Sequence, residues 1–428
     1  MLSMRIFCSG IGGIGLSAFA ALQHVNGHTI FGSDRSDSAL LDVLRSQGIT
    51  VSLQQDGSAL PENLDLFVYS EAIPEHAPER VRAKEMGIEQ MSYFQALGMI
   101  SKTHTVIAVC GTHGKSSTVA MAARVLLDAG LDPTIVVGTK LHELNGRNWR
   151  KGGSNLFLVE ACEYRRSFLH LSPDVILMTN VDGDHFDAFS SVEEYQNAFR
   201  EFLQLLPPDG VVITHESDPD CRAVVRHFHG TVLNADGLAL VSLQTPGRHM
   251  QENAQLVLGL AEHLGLDHKK TMQALSGYAG SWRRMEYKGT RTNDVMVVDD
   301  YGHHPREIRA VLSALKEAHR GRRLVCVYQP HTHNRTLKLY DEFVSAFSDA
   351  DVVVVADVYD ARSDTETAEV NLDQFIEDIA RHSSTEAVYG GSIDRMFTLL
   401  TDTLLTSGDL VLTLGAGTIT QLSDKLVA

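Results

Sequence analysis

Residues 111–118, GTHGKSST, combine two glycines with a lysine and several hydroxyl side chains. They follow the apolar stretch 105–110, and their last three residues begin an amphipathic stretch of helical length, 116–130. A glycine loop between a strand and a helix offers backbone N–H groups to phosphate, and the helix dipole attracts the same anion. The pattern therefore predicts an ATP-binding P-loop whose members are Gly111, Thr112, His113, Gly114, Lys115, Ser116 and Ser117.

Two side chains of this loop have distinct chemical tasks. The Lys115 ammonium would reach the β- and γ-phosphate oxygens of ATP, and the Ser116 hydroxyl would coordinate Mg²⁺. Val109 stands where the longer GxxxxGK[ST] pattern has a glycine. The loop is therefore predicted to be the shorter variant.

Two candidate metal ligands follow the next apolar stretches. Glu160 lies at the end of one, and His185 lies shortly after another. The carboxyl ends of parallel strands share one edge of a sheet, where α/β active sites assemble. Mg²⁺ prefers oxygen donors and water. Beside a P-loop, Ser116, Glu160 and His185 therefore predict a magnesium site.

A second glycine turn, GIGGIG at 10–15, follows an apolar stretch near the start of the chain. It matches GxGxxG, with Gly10 for the tight turn, Gly12 for close approach to a pyrophosphate and Gly15 for helix–strand packing. Asp34 stands where a dinucleotide-binding fold has its ribose-binding acid. The motif leaves three interpretations open: NAD binding, a packing turn, or a site for another diphosphate such as a UDP-sugar.

The elements that must position these residues are short β-branched stretches that alternate with amphipathic segments of helical length. This alternation predicts an α/β fold, and a third glycine turn at 415–417 suggests up to three α/β units. The predicted strands lie within 4–9, 28–33, 65–70, 105–110, 155–161, 174–181, 210–215, 295–301, 324–329, 351–358 and 410–417.

Composition excludes several functional classes. With 37 basic and 54 acidic residues the net charge is −17, which repels nucleic acid. No apolar run reaches the roughly 18 residues that span a bilayer, and no signal peptide is recognisable, so we expect a cytoplasmic protein without a membrane partner. Five cysteines without a CxxC pair indicate neither a disulfide framework nor a zinc ribbon.

In combination the motifs resemble those of the Mur ligases, the ATP-dependent amide-bond synthetases of peptidoglycan assembly. EACEYRR (160–166) and DDYGHHP (299–305) are similar to the alanine-adding branch. The other segments that carry the resemblance are GIGGIGLS (10–17), GSD (32–34), GTHGKSST (111–118), TNVDGDHFD (179–187), GRHMQENA (247–254), RRMEYKG (283–289), YQPHTHNRT (328–336) and TLGAG (413–417).

The resemblance implies an α/β fold of three domains. These are a Rossmann-like UDP-binding domain at 1–104, a P-loop ATPase central domain at 105–282, and a Rossmann-like C-terminal ligase domain that binds the amino acid at 283–428. The first glycine turn then resembles a UDP-sugar site, which displaces the NAD interpretation. The residues carried over to that site are Gly10, Gly12, Gly13, Ile14, Gly15, Ser33, Asp34 and Ser70.

The resemblance also implies the reaction. ATP would phosphorylate the lactyl carboxylate of UDP-N-acetylmuramate, and the amine of L-alanine would attack the acyl phosphate, giving ADP and phosphate. ATP and Mg²⁺, as two ions, would be the cofactors. The catalytic residues would be Lys115, Glu160, His185 and Arg284.

Further contacts come from the later motifs. Asn253 and Asp300 would contact ATP, the latter near its ribose. The alanine site would comprise Tyr301, His303 and Arg335, with Arg335 on the alanine carboxylate. The adjacent His304 is expected to be a structural or helix-capping residue.

Three positions depart from the family pattern or distinguish its branches. Met250 stands where the family has an adenine-contacting asparagine, and Thr332 where it often has a second basic residue near the amino acid. Phe199 cannot be carbamoylated as the lysine of several sister ligases is, which agrees with the alanine-adding branch. The alternatives are a ligase that recycles a muramyl tripeptide, an NAD-dependent oxidoreductase, and an inactive nucleotide-binding protein. The expected state is a monomer or a homodimer.

Overall fold

The computed structural model describes residues 3–183, 188–359 and 368–428. In these ranges the strands form three sheets, of five, seven and six strands in chain order. None of the helices in the same ranges is both long and apolar enough to cross a membrane.

The chain divides into two compact units. The first comprises residues 1–241 and 252–276 and contains the first two sheets. The second comprises residues 242–251 and 277–428 and contains the third sheet.

The first sheet consists of β1 (Arg5–Ser9), β2 (Thr29–Ser33), β3 (Thr50–Ser52), β4 (Leu66–Tyr69) and β5 (Glu89–Ser92). Its helices are α1 (Ile14–Val25), α2 (Ala39–Ser46), α3 (Pro78–Glu85) and α4 (Tyr93–Ser101). The strands pair in parallel in the order β3-β2-β1-β4-β5. The inner strands β1 and β4 are almost wholly buried, which explains their continuous apolar sequences.

The second sheet consists of β6 (Thr105–Cys110), β7 (Thr134–Leu141), β8 (Arg147–Arg150), β9 (Leu156–Glu160), β10 (Val175–Met178), β11 (Val211–Thr214) and β12 (Thr231–Asn234). The helices in and after this region are α5 (Lys115–Asp128), α6 (Val192–Leu203), α7 (Pro219–Val225), α8 (Arg248–His263) and α9 (His268–Ser276). The order is β12-β11-β10-β6-β9-β7-β8, with β8 antiparallel to β7. Strand β6 therefore ends between β10 and β9, and this places the P-loop beside the ends of both.

The third sheet consists of β13 (Glu286–Arg291), β14 (Val295–Asp300), β15 (Leu324–Tyr328), β16 (Val352–Ala356), β17 (Glu386–Gly391) and β18 (Leu410–Leu414). Its helices are α10 (Pro305–Ala318), α11 (His333–Lys338), α12 (Tyr340–Val344), α13 (Leu372–His382), α14 (Ile393–Leu399) and α15 (Thr420–Val427). The order is β13-β14-β18-β15-β16-β17, and only β13 pairs antiparallel among these described strands.

The α/β fold with three sheets confirms the prediction from the sequence. Each of the three glycine turns joins a strand to a helix: β1 to α1, β6 to α5, and β18 to α15. All five cysteines are free, as their number and spacing indicated.

Candidate active site

The P-loop bends at two glycines with positive φ. Gly111 has a φ of 132° and Gly114 a φ of 80°, which residues with a side chain rarely adopt. A Cβ atom on Gly114 would lie 2.7 Å from Asn253 Oδ1, so Asn253 adjoins the loop to which the sequence assigned it. Helix α5 begins at Lys115, and Ser117 is buried in its first turn. The loop thus presents a helix N-terminus, the feature that favours phosphate.

Lys115 turns back into its own loop. Its Nζ atom donates hydrogen bonds to the carbonyl oxygens of Gly111 at 2.5 Å and Thr112 at 3.0 Å. The same atom lies 3.1 Å and 2.9 Å from the two carboxylate oxygens of Glu163, whose side chain is completely buried. Burial has the largest single effect and lowers the pKa of Lys115, but the negative charges around it, of which Glu163 is the strongest, together with the hydrogen bond to Glu163 outweigh burial and raise the pKa. Lys115 is therefore a cation at neutral pH.

Ser116 and Glu160 form the candidate metal site. The Ser116 hydroxyl donates a hydrogen bond of 2.8 Å to Glu160 Oε2, and the same oxygen accepts the Gly138 N–H at 3.0 Å. A hydroxyl and a carboxylate are oxygen donors of the type that Mg²⁺ prefers, so these residues fit the ion. His185, the third predicted ligand, lies outside the described residues. Across the described part of the chain, no cluster of three or more histidine, cysteine or acidic residues is arranged to hold a metal ion.

Residues that follow β10 support the P-loop, although the sequence motifs indicated no role for them. Thr179 Oγ1 donates to the His113 carbonyl at 2.6 Å, and Asn180 Nδ2 donates to the same carbonyl at 3.1 Å. Asn180 Oδ1 also accepts the His113 N–H at 2.9 Å. These contacts, together with Glu163, fix the loop conformation. Their only signal in the sequence was membership of the family motifs.

The first glycine turn lies at the carboxyl edge of the first sheet. Gly10 has a φ of 80°, which confirms the tight turn. The Gly12 N–H donates to Asp34 Oδ2 at 2.8 Å, and a Cβ atom on Gly12 would lie 2.7 Å from that oxygen. Gly15 lies in the first turn of α1, a helix that packs against β2. Its close neighbour is the ring of Tyr93, because the start of α4 approaches α1 at this point.

The other residues assigned to the UDP-sugar site lie along the same edge. Gly13 precedes α1 and Ile14 begins it, whereas Ser33 ends β2 and Ser70 directly follows β4. The buried Ser33 hydroxyl donates a 2.8 Å hydrogen bond to Glu79, a buried carboxylate of α3 that the sequence analysis missed. Burial raises the pKa of Glu79, and hydrogen bonds from neighbouring serine hydroxyls partly offset this rise. The fold thus gathers the predicted residues and adds an acidic residue to them.

Two adjacent arginines before β13 have different surroundings. Arg283 is buried, with Nε 3.1 Å from Asp299 Oδ2 and Nη1 donating to the Gly417 carbonyl at 2.9 Å. Arg284 is partly exposed, and its guanidinium carbon lies 4.8 Å from the centre of the Tyr301 ring. Arg283 is therefore a structural residue, and Arg284 is the better candidate for a phosphate contact.

Asp300 ends β14 with an enclosed carboxyl group. Its Oδ2 atom accepts the Met285 N–H and its Oδ1 atom the Gly302 N–H, both at 2.7 Å. Burial raises the pKa of Asp300 to about 6, although the charge of Arg284 and these two hydrogen bonds act in the opposite direction. Asp300 therefore titrates near neutral pH.

The three residues predicted to bind alanine meet around a histidine. The rings of Tyr301 and His303 have centres 5.4 Å apart, and His303 lies 5.5 Å from His331. Arg335 Nη1 is 3.2 Å from His331 Nδ1. His331 belonged to a quoted family motif but received no role from the sequence. The structure makes it the link between the β14 side and the β15 side of this cluster.

The other positions singled out in the sequence are helix caps or buried apolar residues. Thr332 is the N-cap residue of α11, and its hydroxyl accepts the Arg335 N–H at 3.3 Å. His304 caps α10 by accepting a backbone N–H at 3.3 Å, which confirms its predicted capping role. Met250 and Phe199 are buried apolar side chains.

Models of known protein families match most of the chain. The matching families are described as "Mur ligase family, catalytic domain" at residues 6–105, "Mur ligase middle domain" at 109–236, and "Mur ligase, glutamate ligase domain" at 283–417. The chain belongs to the Mur ligase family.

Two relatives that match over nearly their full length carry the same name. A UDP-N-acetylmuramate–L-alanine ligase from Clostridium perfringens is 34% identical, over 99% of this chain and 97% of that protein. The protein of the same name from Clostridium beijerinckii is 35% identical, over 98% and 97%. The solved structure of UDP-N-acetylmuramate-alanine ligase MurC from Thermotoga maritima matches with a TM-score of 0.82 at 25% identity, over 99% of this chain and 98% of that one. A murein peptide ligase from Psychrobacter arcticus shares the fold, with a TM-score of 0.73 at 24% identity over 99% and 98%.

Proposed function

We propose that this chain joins L-alanine to the lactyl carboxylate of UDP-N-acetylmuramate, with ATP converted to ADP and phosphate, in the synthesis of peptidoglycan precursors. The observation that carries the proposal is the arrangement of Lys115, Ser116 and Glu160 at one sheet edge. The name shared by full-length relatives at 34% and 35% identity supports these substrates. This shared name does not favour the tripeptide-recycling ligase or the NAD-dependent oxidoreductase.

The chemistry explains why this arrangement is needed. A carboxylate must be activated before an amine can displace oxygen from it, so the γ-phosphoryl group of ATP passes to the lactyl carboxylate. Two anions meet in this step, and charge neutralisation dominates catalysis. Lys115 supplies one cation, and Mg²⁺ would supply further positive charge when Ser116 and Glu160 hold it. We assign a second ion to His185, and an ATP contact to Asn253.

The third sheet contributes the remaining proposed contacts. Arg284 would neutralise the γ-phosphate, and Asp300 would contact ATP near its ribose. Arg335 would bind the alanine carboxylate, since a guanidinium group donates two parallel hydrogen bonds to a carboxylate. Tyr301 and His303 would line the pocket for the amino acid. The cluster of these aromatic rings with His331 supports the assignment.

The first glycine turn is proposed to bind the diphosphate of the UDP-sugar at the N-terminus of α1. Ser33, Asp34 and Ser70 border this turn. The domain limits after residues 104 and 282 also stay a proposal, as does the monomeric or homodimeric state. ATP and UDP-linked sugars are cytoplasmic metabolites, which supports a cytoplasmic site of action.

The deciding experiment measures phosphate release with ATP, Mg²⁺, UDP-N-acetylmuramate and one amino acid at a time. We expect release that depends on L-alanine and exceeds that with serine or glycine. Release with a tripeptide in place of L-alanine would support the recycling ligase instead. Thermal unfolding provides a separate test of the first sheet, because a ligand at about 100 times its Kd stabilises by about 2.7 kcal/mol. UDP-N-acetylmuramate should produce this shift, and NAD should not.

A further inference from the structure

Lys115 uses its full hydrogen-bonding capacity inside the protein. A lysine ammonium group has three N–H donors and no acceptor. Its partners are the Gly111 carbonyl at 2.5 Å, the Thr112 carbonyl at 3.0 Å and the Glu163 carboxylate at 3.1 Å. A phosphate oxygen can therefore receive a hydrogen bond from Lys115 only when one of these partners is released.

Glu163 is the partner that carries a negative charge, as a phosphate group does. It is the one anion among these three acceptors, and both of its oxygens lie within 3.1 Å of Lys115 Nζ. Its side chain is completely buried, so water does not weaken the attraction. The two carbonyl groups are neutral acceptors, which form weaker hydrogen bonds with a cation than a carboxylate does.

The backbone around Glu163 is anchored beside the P-loop. The segment leaves β9 next to β6, and the Ala161 N–H donates to the Val109 carbonyl at 2.8 Å. The Glu163 carbonyl in turn accepts the Arg166 N–H at 2.8 Å. The backbone that carries Glu163 is thus anchored to the strand that leads into the P-loop, and the longer side chain of Lys115 has the greater reach of the two partners.

We propose that Glu163 is a positioning residue that competes with the phosphates of ATP for Lys115 and thereby limits the nucleotide affinity of the P-loop. Without nucleotide, the carboxylate holds the ammonium group of Lys115 in an ion pair. When ATP binds, the ammonium group exchanges the carboxylate for a phosphate oxygen. Glu163 then favours the return of Lys115 and the release of ADP. This inference rests on the proposed function, because it requires ATP at this loop.

The test replaces Glu163 by glutamine, which keeps the size of the side chain and removes its charge. We expect Glu163→Gln to lower the Kd of Mg²⁺–ADP and Mg²⁺–ATP by about tenfold, equivalent to about 1.4 kcal/mol. The measurement is calorimetric titration of the full chain. The KM for ATP should fall in parallel, whereas acyl-phosphate formation at saturating ATP should persist. A residue that only stabilises the fold would leave nucleotide affinity unchanged or weaken it.

The matched control is Glu193→Gln, which removes the same charge from an exposed glutamate paired with Arg200 at 3.2 Å. Its nucleotide affinity should equal that of the wild type. Glu163→Asp keeps the charge but withdraws it from Lys115, so tighter nucleotide binding than in the wild type is expected there too. This variant decides the question if Glu163→Gln does not fold.

The outcomes separate this inference from the proposed function. Unchanged or weaker nucleotide binding by the folded variants, with normal binding by the wild type, overturns the competition alone. Failure of the wild-type chain to bind ATP overturns the proposed function as well.

Discussion

Ser116 Oγ donates a 2.8 Å hydrogen bond to Glu160 Oε2, although 44 positions separate the two residues in the chain. The parallel pairing of β6 with β9 creates this contact, because the P-loop follows one strand and Glu160 ends the other. Two oxygen donors suited to Mg²⁺ are thereby brought together.

Glu160→Gln should weaken Mg²⁺ binding more than it weakens ATP binding. The Mg²⁺ concentration for half-maximal phosphate release should rise at least about tenfold, since even outer-shell partners of metal ligands have effects of that size. The measurement is a Mg²⁺ titration at fixed ATP. Glu201→Gln, which alters an exposed ion pair with Arg166, is the control. An unaltered Mg²⁺ requirement would remove Glu160 from the metal site.

Lys115→Met should abolish ligation and also destabilise the protein. Loss of the cation should reduce turnover by about a hundredfold or more. The Glu163 carboxylate would be left buried without this partner, which costs about 3–5 kcal/mol. The double variant with Glu163→Gln should recover stability but not activity. Urea unfolding and phosphate release provide the two readouts, and a single variant with more than about a tenth of wild-type turnover would contradict the P-loop assignment.

Gly12→Ala should weaken the binding of UDP-N-acetylmuramate. The added methyl group would lie 2.7 Å from Asp34 Oδ2 and would force the carboxylate away from the turn. We expect about a tenfold loss of affinity by calorimetry, the effect of losing one hydrogen bond to a charged group. Gly237→Ala is the matched control, because no atom lies within 4 Å of a Cβ there. Equal affinities in the two variants would place the UDP-sugar elsewhere.

Arg335→Ala should raise the KM for L-alanine far more than the KM for ATP. Loss of this charge-assisted contact should raise the KM for L-alanine by about ten- to a hundredfold. Thr332 is occupied as a helix cap and offers no second cation. Acyl phosphate trapped by borohydride reduction should still form without alanine. Arg320→Ala, at an exposed arginine, is the control. Loss of the trapped intermediate with an unchanged alanine KM would move Arg335 to the ATP site.

Asp300→Asn should change how stability depends on pH. The folded-state pKa of Asp300 is raised to about 6 from 3.8, so folding favours the protonated form. The protonated carboxyl group contributes its full stabilisation below the unfolded-state pKa, and this contribution is lost as the pH rises through about 6. The loss in the free energy of unfolding is at most about 3 kcal/mol. The asparagine variant should therefore gain stability relative to the wild type as the pH rises from about 4 to about 6. Parallel stability curves from urea unfolding would show that Asp300 is not the titrating group.

The sequence by itself determined where the P-loop and the first glycine turn lie, each between a strand and a helix. Both motifs are continuous segments, 111–118 and 10–15, and their function depends on local backbone geometry that glycine spacing encodes. It also determined most of the inner strands, because a strand buried on both faces is apolar throughout. The sequence did not predict the edge strands of the three described sheets, such as β5 and β8, and it did not predict the inner strand β7. An edge strand keeps polar residues and lacks the continuous apolar signal.

Only the tertiary structure decided which side chains act on these motifs. Glu163 meets Lys115, and Glu79 meets Ser33, across distances in the chain that no local pattern records. The structure also separated Arg283, buried against Asp299, from its neighbour in the sequence. The physical reason is common to these cases. The free energy of a buried charge depends on the partners that strand pairing brings within a few ångströms, and those partners are set by the fold and not by adjacency in the chain.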